Sequence, residues 1–185
     1  GFMPRIDPTG KTDWPLHNLD LRNSRYSPLN EINASNASNL TEKWSFQGAA
    51  GETFGEITPL VVDGVMYFNA GYKLFAVNAV TGASIWTLRM ESESPSGGTG
   101  PATGGGRGPV YGDGKVYAFG PSVMYAVDAK TGELVDSFGD KGRLRIVNRA
   151  LESKYPGKYP ANLDPRSLGY SMTNPPTYHN GTLYA

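Results

Sequence analysis

A chain of 185 residues with 17 basic and 17 acidic side chains has no formal net charge and no basic stripe to neutralise a phosphate backbone, which excludes nucleic acid as a partner. The absence of cysteine excludes disulfides, thiolate metal sites and cysteine nucleophiles, and no apolar run approaches a membrane span. A hydrophobic content of 38% with 24 Gly and 14 Pro points to one domain of strands and turns rather than long helices.

Residues 1 to 39 read as mostly irregular, with Asn33, Asn36 or Ser38 placed to cap one helical turn before Leu40. Leu40 to Phe46, LTEKWSF, alternates as a strand does. From Thr58 to Trp86 the sequence TPLVVDGVMYF…KLFAVNAVTGASIW then gives four short strands. Asp63-Gly64 is the signal for a two-residue hairpin, because such turns need positive φ at both central positions. Thr81-Gly82 turns the third strand into the fourth. After a low-complexity loop from Glu91 to Gly108, GPVYGDGKVYAFG…VMYAVDAKTGELVDSF repeats the pattern from Gly108 to Phe138. Residues 139 to 169 form a second long insertion, rich in charge, Tyr and Pro. A third copy then opens as PPTYHNGTLYA around Asn180-Gly181.

A shift of 50 residues lays Asp63-Gly64 on Asp113-Gly114, Tyr67 on Tyr117, Ala76-Val77 on Ala126-Val127 and Thr81-Gly82 on Thr131-Gly132. Four short strands per copy at about 40 to 50 residues is the spacing of a propeller blade. The predicted fold is therefore all-β, a β-propeller of four-stranded blades of which the first two to three are present. Residues 1–56 form an N-terminal segment, 57–90 the first blade, 107–139 the second and 170–185 the start of the third, all within one domain. The strand at 40–46 is the candidate closing strand of the ring, with its partners beyond Ala185. Two blades and a hairpin leave apolar faces and strand edges open, so the isolated chain is expected to aggregate or remain partly unfolded until the remaining blades are supplied. Both insertions follow a fourth strand and precede a first one, which puts them on the same face of the disc, where binding loops gather. Trp86 is expected to pack between neighbouring sheets while its indole N–H finds a carbonyl; Asp136 holds the equivalent position in the second copy and weakens that docking.

The stretch WPLHNLDLRNSRYSPLNEINASNASNLTEKWSF, the following GEITPLVVDGVMYF, the pattern AVNAVTGASIW and the start RGPVYGDGKVY resemble the N-terminal part of quinoprotein dehydrogenases, over about Trp14 to Ala185. The resemblance implies an eight-bladed propeller that holds pyrroloquinoline quinone near its axis. It also implies oxidation of an alcohol, polyol or sugar, with electrons passed to a cytochrome or ubiquinone, in an exported or periplasmic protein. It implies a Ca²⁺ or lanthanide ion on the quinone and an Asp acting as base, with the metal ligands and catalytic residues beyond Ala185. Alcohol-oxidising members often carry adjacent cysteines shortly before the counterpart of Arg107; this chain has a Ser/Gly loop there, which argues against the methanol-type subgroup.

Three residues stand just before the innermost strand of each copy: Glu56, Arg107 and Thr173. The quinone-contacting positions of the resembled family match them in GEITP, RGPVY and MTNPP. An Arg fork offers paired charge-assisted hydrogen bonds to a carboxylate. Thr173 supplies a hydroxyl, and Glu56 either accepts from a ring N–H or holds Arg107 in place. Elsewhere the signals are weak. His17 and His179 have no second ligand at metal-binding spacing and no serine partner. The Gly-rich stretch around Gly104 lacks the ending of a phosphate loop. Asn33, Asn36, Asn39 and Asn180 lie in N-x-Ser/Thr contexts, which matter only in a glycosylating pathway. The competing reading is a non-enzymatic propeller scaffold of the outer-membrane assembly type, which would keep the Thr-Gly turns without charge at the axis.

Overall fold

Asp63-Gly64, Asp113-Gly114 and Asn180-Gly181 turn the chain as their backbones allow, with φ of 49° and 76°, 49° and 71°, and 46° and 78°. The computed structural model describes residues 13–48, 51–52, 55–90, 107–120, 122–172 and 174–185. The first of these turns joins β1 (Leu60–Val62) to β2 (Val65–Ala70), which continues into β3 (Lys73–Asn78) and β4 (Ser84–Arg89) as an antiparallel four-stranded sheet. The second joins β5 (Val110–Gly112) to β6 (Lys115–Phe119), followed by β7 (Met124–Asp128) and β8 (Arg143–Leu144) in a second sheet of the same order. Beyond a helix α1 (Ile146–Lys154), β9 (Thr177–His179) and β10 (Thr182–Tyr184) form the third hairpin. This is the blade order of a propeller.

The apolar residues occupy both faces of the central strands because each sheet is sandwiched. Leu60, Tyr67, Leu74 and Ala76 of the first sheet meet Val116, Ala118, Tyr125 and Val127 of the second. The opposite face of the first sheet, with Phe68, Phe75 and Val77, is covered by Trp44, Phe46 and Ile57. Phe46 meets the Phe68 and Phe75 rings edge-on, at 5.5 and 5.3 Å between centroids. On the outer face of the second sheet, Val110, Tyr117 and Ala126 are covered by Leu183 and Tyr178 of the third hairpin, together with Leu16. Ring pairs repeat from sheet to sheet: Tyr67 stacks on Tyr111, and Tyr117 on Tyr178.

The turn between the third and fourth strands is built from an Asx side chain. Asn78 Oδ1 accepts the N–H groups of Val80 and Thr81, both at 2.9 Å, and Asp128 Oδ1 accepts those of Lys130 and Thr131, both at 2.9 Å. The turn presents a backbone carbonyl to the preceding layer. Trp86 Nε1 donates to Ala129 O at 3.0 Å, and Trp44 Nε1 donates to Ala79 O at 3.2 Å. Each indole lies over the glycine of its turn: a Cβ on Gly82 would come within 2.5 Å of the Trp44 ring, and one on Gly132 within 2.7 Å of the Trp86 ring. Trp44 thus occupies, against the first sheet, the place that Trp86 of β4 occupies against the second.

The second sheet departs from the sequence reading at its outer strand. Leu134 bridges Val127 and Val135 N donates to Ala126 O at 2.9 Å, but the chain then leaves the sheet and returns at Arg143 and Leu144. By pairing, Leu144 opposite Met124 matches Leu88 opposite Leu74. The second sheet therefore ends past residue 139, and Asp136, expected at the Trp86 position, sits in the excursion. Residues 139 to 169, read as an insertion, hold β8 and α1, whose buried Val147 and Leu151 are one helical turn apart. Trp86 lies within β4 rather than at its end, since β4 runs to Arg89. Ahead of Leu40, residues Ala37–Asn39 form a single 3₁₀ turn capped by Asn36 without a side-chain hydrogen bond.

Ala129 O receives a second donor, the Tyr67 hydroxyl at 3.1 Å, and burial of that phenol pushes its pKa up to about 12. A carbonyl with two lone pairs keeps one partner when either donor is lost. Tyr67→Phe and Trp86→Phe should each cost about 0.5–1 kcal/mol in chemical denaturation, and the double variant more than their sum. At the Asx turn, the N–H groups of Thr131 and Lys130 hold the Asp128 carboxyl below its ordinary value. Its stabilising effect is present above the unfolded pKa of about 3.9 and is lost as pH falls through the lower folded value. Asp128→Asn, which installs the residue found at position 78, should flatten that acid limb of the unfolding curve.

Candidate functional site

The innermost strands β1, β5 and β9 stand side by side, and the site lies where they begin. Thr58 N donates to Arg107 O at 2.9 Å, joining the starts of the first two sheets. That approach requires glycine at 108, whose φ is 127° and whose added Cβ would sit 2.5 Å from Thr58 O. Gly108 thereby fixes the direction in which Arg107 leaves the backbone. Its guanidinium Nη2 lies 3.7 Å from Glu56 Oε2, with side-chain exposures of 55% and 88%, so this is a solvent-screened pair of little energetic weight. Glu56 and Arg107, named from the repeat, are neighbours. Thr173 lies outside the described residues; its successors Asn174, Pro175, Pro176 and Thr177 line the same hollow as Arg107.

This hollow, of about 340 Å³, is completed by a part of the chain that the sequence reading left irregular. Trp14 and Val61 exchange backbone hydrogen bonds of 2.6 and 3.1 Å, and Tyr111 N donates to Pro15 O at 3.1 Å. The N-terminal segment therefore runs antiparallel to β1 along the free edges of the innermost strands. At its upper end it delivers His17, Asn18, Asp20 and Arg25 to the hollow beside Arg107. His17, dismissed as a catalytic or metal residue for want of partners in sequence, belongs to this lining. Burial holds its pKa below the ordinary value, and the positive charges of Arg25 and Arg107 add to that, while the Arg107 carbonyl pulls the other way. Among the described residues no group of three or more His, Asp or Glu side chains is placed to hold a metal ion. The hollow is therefore a cationic, hydrogen-bond-donating concavity suited to an anion.

The family model for the β-propeller domain of glucose, ethanol and alcohol dehydrogenases, the pyrroloquinoline quinone family, matches residues 14–183. The chain belongs to this family. It is 38% identical over 99 residues to the quinohemoprotein alcohol dehydrogenase of Comamonas testosteroni, covering 52% of this chain and 14% of that protein. It is 36% identical over 89 residues to the quinoprotein glucose dehydrogenase of Escherichia coli, covering 44% of this chain and 11% of that one. The crystal structure of the Comamonas enzyme superposes with a TM-score of 0.69 at 28% identity, over 93% of this chain and 22% of that structure. A europium-containing methanol dehydrogenase superposes with a TM-score of 0.59 at 27% identity, over 72% of this chain and 23% of that one. The match thus spans less than a quarter of these relatives. It establishes the family and the β-propeller fold, here two full four-stranded blades and a hairpin.

Gly108→Ala places a Cβ against a carbonyl at a φ unsuited to L-residues, and should destabilise the full-length protein by about 2 kcal/mol in denaturant unfolding. Gly64→Ala, also at positive φ but with nothing within 4 Å of its added Cβ, should cost less.

Proposed function

We propose that this chain is the N-terminal part of the propeller of a quinone-dependent dehydrogenase that oxidises an alcohol, polyol or sugar, and that Glu56, Arg107 and Thr173 contribute to its quinone site. The observation that supports this most is the placement of Arg107 at the start of an innermost strand, beside Glu56 and lining a hollow with Arg25 and His17. The donor set suits a planar polycarboxylate: the N–H groups of Arg107 pair with a carboxylate in a fork, and the Asn174 amide adds neutral donor and acceptor capacity. Bound there, pyrroloquinoline quinone supplies a two-electron acceptor for a substrate C–H bond, a capacity no amino-acid side chain has.

In this reading Arg107 binds and orients a carboxylate. Glu56, 3.7 Å from its Nη2, sets the position of the guanidinium or accepts a ring N–H from the ligand. The Thr173 hydroxyl adds a further donor. The sandwich of apolar sheets behind them keeps the axial wall rigid, so little ordering remains when the ligand arrives. The Ca²⁺ or lanthanide ion, its ligands and the base that takes the substrate hydroxyl proton are assigned to blades after the third hairpin. Residues 40–46, expected as a strand, form no strand among the described residues; with Trp44 docked on the first sheet as Trp86 is docked on the second, the segment is assigned to the blade that closes the ring. A cytochrome or ubiquinone takes the electrons, in the periplasm.

Removing one charge-assisted fork costs about 1.5–3 kcal/mol, so Arg107→Ala should weaken quinone binding by the full-length protein about 10- to 100-fold. Titration of the apoprotein with the quinone, followed by fluorescence, reads this directly, and unchanged affinity removes Arg107 from the site. If the full-length wild type neither binds the quinone nor reduces a dye with alcohols or sugars, the chain is a propeller scaffold instead.

A further inference from the structure

The hollow has a second guanidinium that the repeat does not explain. Beyond Pro15 the chain folds into a tight loop in which Leu19, Asn23 and Arg25 all take left-handed conformations, with φ of 74°, 55° and 50°. For non-glycine residues, and a leucine above all, that conformation is costly. Side chains of the loop itself hold it. Asp20 Oδ1 accepts the N–H groups of Arg22 and Ser24, both at 3.0 Å. Asn18 Nδ2 donates to Asn23 Oδ1 at 2.9 Å, and Asn18 Oδ1 accepts Arg25 Nε at 2.6 Å. The bond to Nε fixes the plane of the Arg25 guanidinium and leaves both Nη groups without a hydrogen-bond or ion-pair partner among the described residues.

Arg25 and Arg107 line the same hollow, and both lie close enough to His17 to depress its protonation. Asp20 is the one carboxylate among the lining residues, and one of its oxygens is engaged by two backbone N–H groups. Two guanidiniums therefore face one lining carboxylate, itself partly satisfied, across a volume of about 340 Å³, and a further carboxylate, Glu56, makes a solvent-screened 3.7 Å approach to Arg107. We propose that Arg25 is the second arm of a two-arginine clamp with Arg107, each arm taking a different carboxylate of one planar polycarboxylate, the quinone of the preceding section. The clamp rests on that reading for the identity of its occupant. Its consequence is that the N-terminal loop, and not only the blades, positions the ligand: the strand edge paired at Trp14 and Val61 carries Arg25 to the axis, and the left-handed turns aim it.

The test uses the full-length apoprotein and two probes, pyrroloquinoline quinone and benzene-1,3,5-tricarboxylate, with affinities measured by equilibrium dialysis. Arg25→Asn retains a residue that accepts left-handed φ, and Arg25→Lys retains charge without the fork. Arg22→Gln lies on the same loop outside the hollow and serves as control. Arg25→Asn is expected to weaken both probes about tenfold or more and Arg25→Lys less, with Arg22→Gln within about twofold of wild type and near-ultraviolet circular dichroism unchanged throughout. Wild-type affinity for both probes in Arg25→Asn overturns the clamp. Binding of the tricarboxylate in an Arg25-dependent way, without binding of the quinone, keeps the clamp and overturns the quinone reading. Binding of neither probe by the wild type overturns both.

Discussion

The arrangement depends on one backbone carbonyl per blade. The Asx side chain at Asn78 or Asp128 takes two N–H groups of its own turn, and this leaves the carbonyl of the next residue, Ala79 or Ala129, pointing out of the sheet. An indole finds it, at 3.2 Å for Trp44 of the N-terminal segment and 3.0 Å for Trp86 of the outer strand β4. A buried carbonyl without a donor is costly, and a buried indole N–H without an acceptor is equally so. Each group therefore fixes the rotation of one sheet against the next, which apolar packing alone leaves loosely defined. The Thr-Gly pair follows from the same contact, because any Cβ at Gly82 or Gly132 would occupy the space of the indole.

Once adjacent sheets are set in rotation, the starts of their innermost strands must converge. Thr58 and Arg107 are hydrogen-bonded across the first two sheets only because the tryptophan contact at the outer edge and the glycine at 108 act on the same pair of blades from opposite ends. Arg107 is thus positioned by a residue in the outermost strand of the preceding blade as much as by its own sequence neighbours. This is how a fold with an apolar core throughout can hold charge at its axis. Glu56 and Arg107 sit on the chain just before the first two inner strands, where solvent still reaches.

Much of this was legible because its causes are local. Asp-Gly and Asn-Gly impose the mirror-image turns, Asn78 and Asp128 impose the second turn, and the offset between copies places Glu56 beside Arg107. Three features were not legible, each because its cause is distant. The outer strand of the second blade breaks off after Val135 and resumes at Arg143, since sheet pairing rewards the return of Arg143 and Leu144 to β7 and nothing in VDSF forbids leaving. Helix α1 follows its N-cap Arg145 without a capping side-chain hydrogen bond; burial of Val147 and Leu151 holds it, not its ends. The segment from Trp14 to Arg25 carries no strand pattern because only three of its backbone groups pair with β1 and β5, while others bond within the loop, to the carbonyls of Leu16, Asn18 and Asp20 and to the Asp20 side chain.

That last segment changes how the N-terminus relates to the site. Read as a sequence, residues ahead of Leu40 are a connection to the strand at 40–46. In space the N-terminal segment serves two places: Trp14 and Pro15 pair with the free edge of the innermost strands, and Trp44 and Phe46, beyond Leu40, cover the far face of the first blade. A free inner edge presents unpaired N–H and C=O groups to the axis, where they would compete for any ligand and invite pairing with another chain. Pairing with Trp14 and Pro15 satisfies that edge at Val61 and Tyr111 and so reduces the competition there. The left-handed residues that follow add strain, at Leu19 with no side chain able to offset it, and the bonds of Asp20 and Asn18 hold the loop closed against that strain. The same bonds, ending in Asn18 Oδ1 on Arg25 Nε, hold the Arg25 side chain on the hollow that Arg107 also lines, where a relaxed loop would let it swing into solvent.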